Sequence, residues 1–316
     1  MSFEYHQNHP HGVMFHRFYG PNLPKYRGAL NAEDLESLIL QIGASRILEP
    51  KEWLFRLANN TLKKYHVCLT FDDCLKSQIL VAVPVLKKYN LSAFFFIHSL
   101  TFFNEMDLNE VFSNIISTKF NNIMSFMTEF ESYLKLDNSI FTEDQYLEFR
   151  DSMKKTYSFY SESYLKYIYL RNKYFTNIQF NDHMKKFFTE KNFMNDIDPE
   201  MIWMNESDLL SLIDSRNIIG LHSYSHHINF KNLSYDEQLI EYKKNISHLE
   251  ALSGYKITSA SHPLGSYNSD TLNILKDLGI ECAFRSSNTI PTSSDIINPN
   301  KLELARVDVC DIIKQY

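Results

Sequence analysis

Short apolar runs that end on polar residues alternate with helically spaced apolar residues at both ends of this chain. That alternation restricts the fold more than any other feature. Val67, Leu69 and Phe71 alternate over His66 to Phe71, the period-two signature of a strand. Ile79, Val83 and Leu86 follow at helical spacing, and Ala93 to Ile97 is a second strand-like run. After residue 204 the pattern returns: a helix near Ser207 to Asp214, a strand over Ile218 to Leu221, and a helix carrying Leu239, Tyr242, Ile246 and Leu249. Ser234 and Glu237 suit a capping box at the start of that helix, and Gly254 suits its end. A strand end at Ser259 to His262, a helix over Thr271 to Leu278 closed by Gly279, and strands at Cys282 to Phe284 and Leu304 to Val307 complete the series. An earlier helix starts at Asn31, paired with Asp34, and buries Leu35, Leu38, Ile39 and Ile42. Strands and helices alternating at this spacing predict a parallel α/β architecture, open or barrel-like.

Glycine marks where the alternation is interrupted. All eight glycines lie at or before Gly43 or at or after Gly220. From about Thr101 to Met204 the chain is rich in Tyr, Phe, Lys, Glu and Asn, with Pro199 its only proline. Linkers are rich in Gly, Pro or Ser, so residues 101–204 are expected to be a helical insertion within a single domain spanning 1–316. Its aromatic rings could stack on sugars, but an aromatic-rich helical segment more often forms core or an oligomer contact. A homo-oligomer is therefore compatible with it.

Net charge is −6 and the basic residues are scattered, which leaves no electrostatic footprint for nucleic acid. No apolar run approaches the roughly 18 residues of a membrane span. The start, MSFEYHQNHPHG, has no basic segment followed by an apolar one, and His6, His9 and His11 read as a solvated tail. Cys68, Cys74, Cys282 and Cys310 lack CxxC spacing and read as free thiols of a cytoplasmic protein.

Three places carry polar residues directly after apolar strands, where α/β folds put functional side chains. At Thr70-Phe71-Asp72-Asp73-Cys74 one carboxylate can hold a cation while its neighbour acts as a base on water. Taken alone, such a pair is more often a turn or an N-cap. At His222-Ser-Tyr-Ser-His226 two imidazoles four residues apart are expected on one side of a helical turn, able to share an ion. Asp73, His222 and His226 together offer two imidazoles and one carboxylate, a set that suits catalytic zinc and also iron or other divalent ions. At Ser261-His262-Pro263-Leu264-Gly265 a tight turn could expose a backbone N–H toward an oxyanion. His98 also follows a strand-like run, and a role in the site is the less common reading there. His227 is expected beside the site or exposed.

The order TFDDC, HSYSH, HPLGSYN and LGIECAF resembles the polysaccharide deacetylase family (carbohydrate esterase family 4, the NodB-homology domain). GVMFHRF resembles that family's opening strand, and the resemblance covers about residues 12 to 100 and 201 to 310. It implies a distorted (β/α) barrel and a metal-dependent hydrolase that cleaves the amide of an N-acylated sugar. By the same resemblance Asp72 is the general base, Asp73, His222 and His226 hold the metal, most simply Zn²⁺, and the backbone N–H of Leu264 faces the oxyanion. The sugar would be nucleotide-linked, lipid-linked or an oligosaccharide, with an intracellular precursor of a surface glycan preferred.

Three positions depart from the family's pattern. Cys74 replaces the glycine after the aspartates, Ser261 stands where many members have an arginine that orients the base, and Leu304-Ala305-Arg306 occupies the place of an LxH motif that supplies a histidine acid. Arg306 stays charged and is a poor proton donor. The acid is left open among His262, His16 and other groups. The same metal set would also serve a deformylase or a ring-opening imidase, and a non-catalytic glycan-binding or assembly module is the rival from another class.

Overall fold

The computed structural model describes residues 8–156, 160–291 and 294–313, so His6 lies outside the described residues. In the first part of the chain, β1 (His11–Phe15) is followed by α1 (Ala32–Ile42), α2 (Pro50–Ala58), β2 (Val67–Phe71), α3 (Val83–Lys88) and β3 (Phe94–Ile97). A run of helices follows: α4 (Leu108–Lys119), α5 (Ile123–Leu134), α6 (Asp144–Thr156), α7 (Glu162–Tyr169) and α8 (Asn177–Glu190). Next come α9 (Pro199–Ile202), α10 (Glu206–Asp214), β4 (Ile218–Leu221), α11 (Tyr235–Ser253), β5 (Ser259–Ser261), α12 (Ser269–Asp277), β6 (Cys282–Phe284), β7 (Arg306–Asp308) and α13 (Val309–Ile313). Helix boundaries follow local chemistry. Asn31, Asn205, Ser234 and Asn268 each close a capping box at the N-terminus of α1, α10, α11 and α12, satisfying amide donors that lack intrahelical partners.

The chain divides into two compact units, Met1–Asp107 with Pro199–Tyr316, and Leu108–Asp198. In the first, all seven strands are parallel in the order β6-β5-β4-β3-β2-β1-β7. Phe284 pairs with Leu304, just ahead of β7, and β7 pairs with β1, so the ring of strands closes through a single bridge. This is the distorted (β/α) barrel that the motifs implied. The strand expected from Leu304 begins later, at Arg306, because Leu304 and Ala305 serve as the bridge between β6 and β1.

Alternation along the strands sorts residues between two layers. Leu69, Phe71, Phe95 and Ile97 belong to the core that also takes Leu35 and Ile39 of α1 and Leu249 of α11. Cys68, Phe94, Phe96, Cys282 and Phe284 form a second cluster with Trp53 of α2. A Cβ on Gly220 would lie 2.6 Å from the Phe96 ring and 2.6 Å from Ser259 Oγ, so this inner layer has no room for a side chain there. Going toward the carboxyl ends of the strands, the same alternating positions become polar: His16 beyond β1, Asp72 beyond β2, His98 beyond β3, His222 beyond β4 and Ser261 ending β5. His11 and His9 are no solvated tail: His11 is fully buried in β1, since its strand runs between β2 and β7, and His9 is partly covered.

The second unit, Leu108–Asp198, contains α4 to α8 and has an aromatic interior. Phe112, Phe126, Phe130 and Phe188 have no solvent exposure, and Phe126 stacks on Phe130 with ring centroids 5.3 Å apart.

Candidate metal centre

Asp72 and Asp73 follow β2 but face different partners, because the chain turns sharply between them. Asp73 and Cys74 both have left-handed backbones, φ 76° and 57°, a conformation that costs a non-glycine residue about 1–2 kcal/mol. Cys74 thus holds a backbone shape that glycine takes without strain. The loop is pinned from outside: Met204 N–H donates to Cys74 O at 2.9 Å, and Gln78 Nε2 donates to Asp72 O at 2.6 Å.

The histidine motif is not a helical turn. Ser223 and His226 have φ of 59° and 52° and lie in a loop after β4. Glu241 of α11 accepts from Tyr224 N–H and Ser225 N–H, at 3.1 and 2.8 Å, and Ser223 Oγ accepts from His226 N–H at 3.1 Å. Asn245, also from α11, accepts from His222 N–H at 3.1 Å. A loop with two left-handed residues brings both rings to one side as well as a helix would.

Each histidine has one ring nitrogen engaged away from the centre. His222 Nδ1–H donates to Ser261 O at 3.0 Å, and His226 Nδ1–H donates to Asp107 Oδ2 at 3.2 Å. Both Nε2 atoms then point at Asp73 Oδ1, at 3.3 and 3.4 Å. The ligand atoms of Asp73, His222 and His226 all lie within 4.8 Å of one another. Asp73 Oδ1 is buried without a hydrogen-bond partner, and such an atom demands compensation. Two imidazole nitrogens and a carboxylate oxygen, each histidine fixed by an outer partner, fit a divalent cation. Burial alone would lower the His226 pKa, yet Asp73 and Asp107 beside it carry it up to about 9. The same two carboxylates would favour a cation in place of that proton. Asp107, which the sequence reading missed, has no local signature, since it meets His226 across 119 positions.

Asp72 has a different environment. Arg306 of β7 grips its carboxylate with two bonds, Nη1 to Oδ1 and Nη2 to Oδ2, each 2.7 Å. Arg306 Nη2 also donates to Ser261 Oγ at 2.7 Å, and Ser261 Oγ donates to Asp72 Oδ2 at 3.1 Å. Burial would raise the Asp72 pKa, but Arg306 and then His222 outweigh it and hold it below the usual range. Gly12 makes this reach possible, because a Cβ there would meet Arg306 Cγ at 3.0 Å and Thr70 Cγ2 at 3.1 Å. The guanidinium missing at position 261 is thus supplied from position 306, with Ser261 completing the contact. The sequence reading weighed Arg306 only as a proton donor. Its place is set by the sheet register, which pairs Gly12 with Arg306 and has no signature in the local sequence.

The candidate acids separate clearly. His262 is fully buried, its Nε2–H donates to Leu302 O at 2.8 Å, and its ring stacks on Tyr267 with centroids 4.2 Å apart. Burial pushes its pKa down to about 4, so at neutral pH it has no imidazolium proton to give. His16 is half-buried just beyond the carboxyl end of β1, on the same face of the barrel end as Asp72. His98 is fully buried, lies 5.7 Å from the His226 ring, and neither of its ring nitrogens has a hydrogen-bond partner. His227 is partly exposed and accepts from Asn229 N–H at 3.2 Å. Leu264 sits in the turn after β5 with φ 52° and an exposed side chain.

The family profile for polysaccharide deacetylase matches residues 182–283, which include both histidines and the turn at Leu264 but not the aspartates. No curated protein matches the sequence. Among solved structures, the Streptococcus pyogenes deacetylase PplD in complex with acetate is 13% identical with a TM-score of 0.53, covering 98% of each chain. IcaB from Ammonifex degensii is 14% identical with a TM-score of 0.54, covering 95% of this chain and 91% of that one. A de-N-acetylase from Aggregatibacter actinomycetemcomitans is 13% identical with a TM-score of 0.53, covering 97% and 98%. Identities this low speak for the fold. The chain carries the fold and, across residues 182–283, the sequence signature of the polysaccharide deacetylases.

Proposed function

We propose that this protein is a metal-dependent hydrolase that removes an acetyl group from an N-acetylated amino sugar of a glycan precursor. The observation that carries the reading is the convergence of His222 Nε2 and His226 Nε2 on the unpartnered Asp73 Oδ1, beside a second, separately held carboxylate, Asp72.

A divalent cation held by Asp73, His222 and His226 would supply Lewis-acid polarisation of the water and of the acyl carbonyl, and Zn²⁺ suits the donors. Asp72 takes the proton from the attacking water. Arg306 keeps it ionised and oriented for that task, and general-base catalysis of this kind contributes about 10²–10⁴-fold. The backbone N–H of Leu264 donates to the oxyanion that forms on the carbonyl oxygen. His16, half-buried just beyond β1 at the same end of the barrel, gives the proton on which the amine leaves. The thiols of Cys68, Cys74 and Cys282 are buried and outside any disulfide, which favours an intracellular setting and substrate.

A screen of N-acetylated nucleotide sugars, lipid-linked sugars and oligosaccharides for acetate release, with and without chelator, tests the reading. Acetate release that stops with chelator and returns with zinc is expected. Stoichiometric bound metal with no turnover of any acyl sugar would overturn it in favour of a binding module. Release only from polymeric chitin or peptidoglycan would overturn the precursor as substrate.

A further inference from the structure

β1 and β2 end together, with Phe15 paired to Phe71, and the last bond between them runs from Asp72 N–H to Phe15 O at 3.1 Å. His16 and Asp72 therefore stand side by side, one residue beyond the paired strands, and alternation turns both side chains to the same layer. From there the two segments part. The first runs on to Phe18, which bridges to Leu30, while the second turns back through left-handed Asp73. A fork of this kind deprives backbone carbonyls of the regular partners of a ladder.

One buried side chain serves both carbonyls. Gln78 Nε2 donates to His16 O at 2.8 Å and to Asp72 O at 2.6 Å, one hydrogen for each, and Gln78 has no exposure to solvent. The residue before it grips the same fork, because Ser77 Oγ accepts from Phe18 N–H at 3.2 Å. Gln78 opens a π turn over Gln78–Ala82, in which Val83 N–H donates to Gln78 O, and such turns are rare and recur at functional sites. Its Oε1 is buried with no hydrogen-bond partner among the described residues. A bare buried acceptor costs stability, and flipping the amide would set that oxygen against two carbonyls. Gln78 is thus better suited to holding these two carbonyls than to stabilising the fold.

We propose that Gln78 is a positioning residue that fixes His16, the proton donor, and Asp72, the base, relative to one another by holding both their carbonyls on one amide. Neither side chain touches Gln78, so the effect passes through the backbone at the fork. A hydrolysis that takes a proton at one group and returns one at another needs both in place at once, and a misplacement of about 1 Å can cost about 10²-fold. The inference rests on the deacetylase reading above and deepens it by naming what holds the two proton-transfer groups in register.

The test is a double-mutant cycle on the full, zinc-loaded chain, with the best substrate of the screen above. Gln78→Met keeps the side-chain length and removes both donors. It is expected to lower kcat by about 10–10²-fold, with KM and zinc affinity, read by competition with a chelating dye, within about twofold. In a His16→Ala chain the same change should cost less than about threefold further. An equal loss in both backgrounds, or a zinc affinity that falls in step with kcat, overturns the proposal, because Gln78 would then support the fold or the metal loop instead. If Gln78→Met does not fold, Ser77→Ala frees only the Phe18 N–H. It should lower kcat several-fold with His16 present and not in its absence, and an unchanged kcat overturns the proposal. The imidazole NMR signal of His16, assigned by its disappearance in His16→Ala, gives a readout that needs no turnover. It should shift or broaden in Gln78→Met and in Ser77→Ala, and a signal unchanged in both overturns the tie. A shifted signal in a protein that releases no acetate leaves the tie standing and removes the deacetylase reading.

Discussion

The interior of the helical unit and the carboxyl end of the barrel bury opposite kinds of residue. In the helical unit Phe112, Phe126, Phe130, Phe187 and Phe188 pack ring on ring. At the barrel's carboxyl end the buried groups are Asp72, Arg306, Ser261, His222, His98 and His262. An aromatic interior is held by area and shape, so each ring is one of many near-equivalent contributors. A polar interior is held by named partners, and removing one strands another in a medium that cannot solvate it. The first kind of burial makes a fold. The second can also hold a reactive arrangement ready.

That contrast breaks most visibly at Asp72. Asp72→Asn keeps the cation and lowers kcat by about 10²–10⁴-fold, whereas His226→Ala loses the cation; metal analysis beside acetate release checks both. Full activity in Asp72→Asn would show that another group takes the proton. Arg306→Ala leaves a buried carboxylate alone and should cost about 3–5 kcal/mol in denaturant unfolding. Phe126→Ala should cost a similar 3–5 kcal/mol through its cavity while the folded chain still binds the cation, since all three ligands lie in the barrel unit. If Phe126→Ala lost the cation and Arg306→Ala did not change stability, the roles of the two interiors would be reversed. Gly12→Ala pushes on Arg306 and should cost about 1–3 kcal/mol, with a fall in kcat that metal analysis shows to be independent of the cation.

Acid supplies the smallest and most graded effect. Burial brings His11 and His262 down to about 4, below their ordinary 6.5. The unfolded chain therefore takes up protons that the folded one refuses, and stability to urea should fall as pH drops from about 6.5 toward 4. The Asp72 carboxylate, held low, contributes above its ordinary value of 3.8, and that contribution is lost only as pH falls through its depressed folded value. Stability that stayed flat between 6.5 and 4 would mean that these imidazoles are not closed off from water.

What was legible in the sequence was what is decided locally. Period-two runs, capping boxes and the Gly254 stop lie within a few residues of the elements they define. Asp72, Asp73, His222 and His226 could be picked out because each follows a strand, and the barrel brings all four to one end. The geometry of the histidine loop was not legible, because left-handed Ser223 and His226 are set by bonds to Glu241 and Asn245 on a later helix. Nor was the partner of Asp72, which depends on which strand lies beside β1 and on the space Gly12 leaves. His11 read as tail for the same reason: its burial comes from strands on both sides, not from its own neighbourhood.

The strand that closes the barrel also carries the arginine that grips Asp72, and this sets an order in time. During synthesis both aspartates and both histidines leave the ribosome before position 306 does. A chain at that stage has every residue the cation would need and a buried carboxylate, Asp72, with no guanidinium to hold it. The grip of Arg306 on Asp72 therefore waits on the pairing of β7 with β1, and the arrangement around Asp72 forms only as that strand docks.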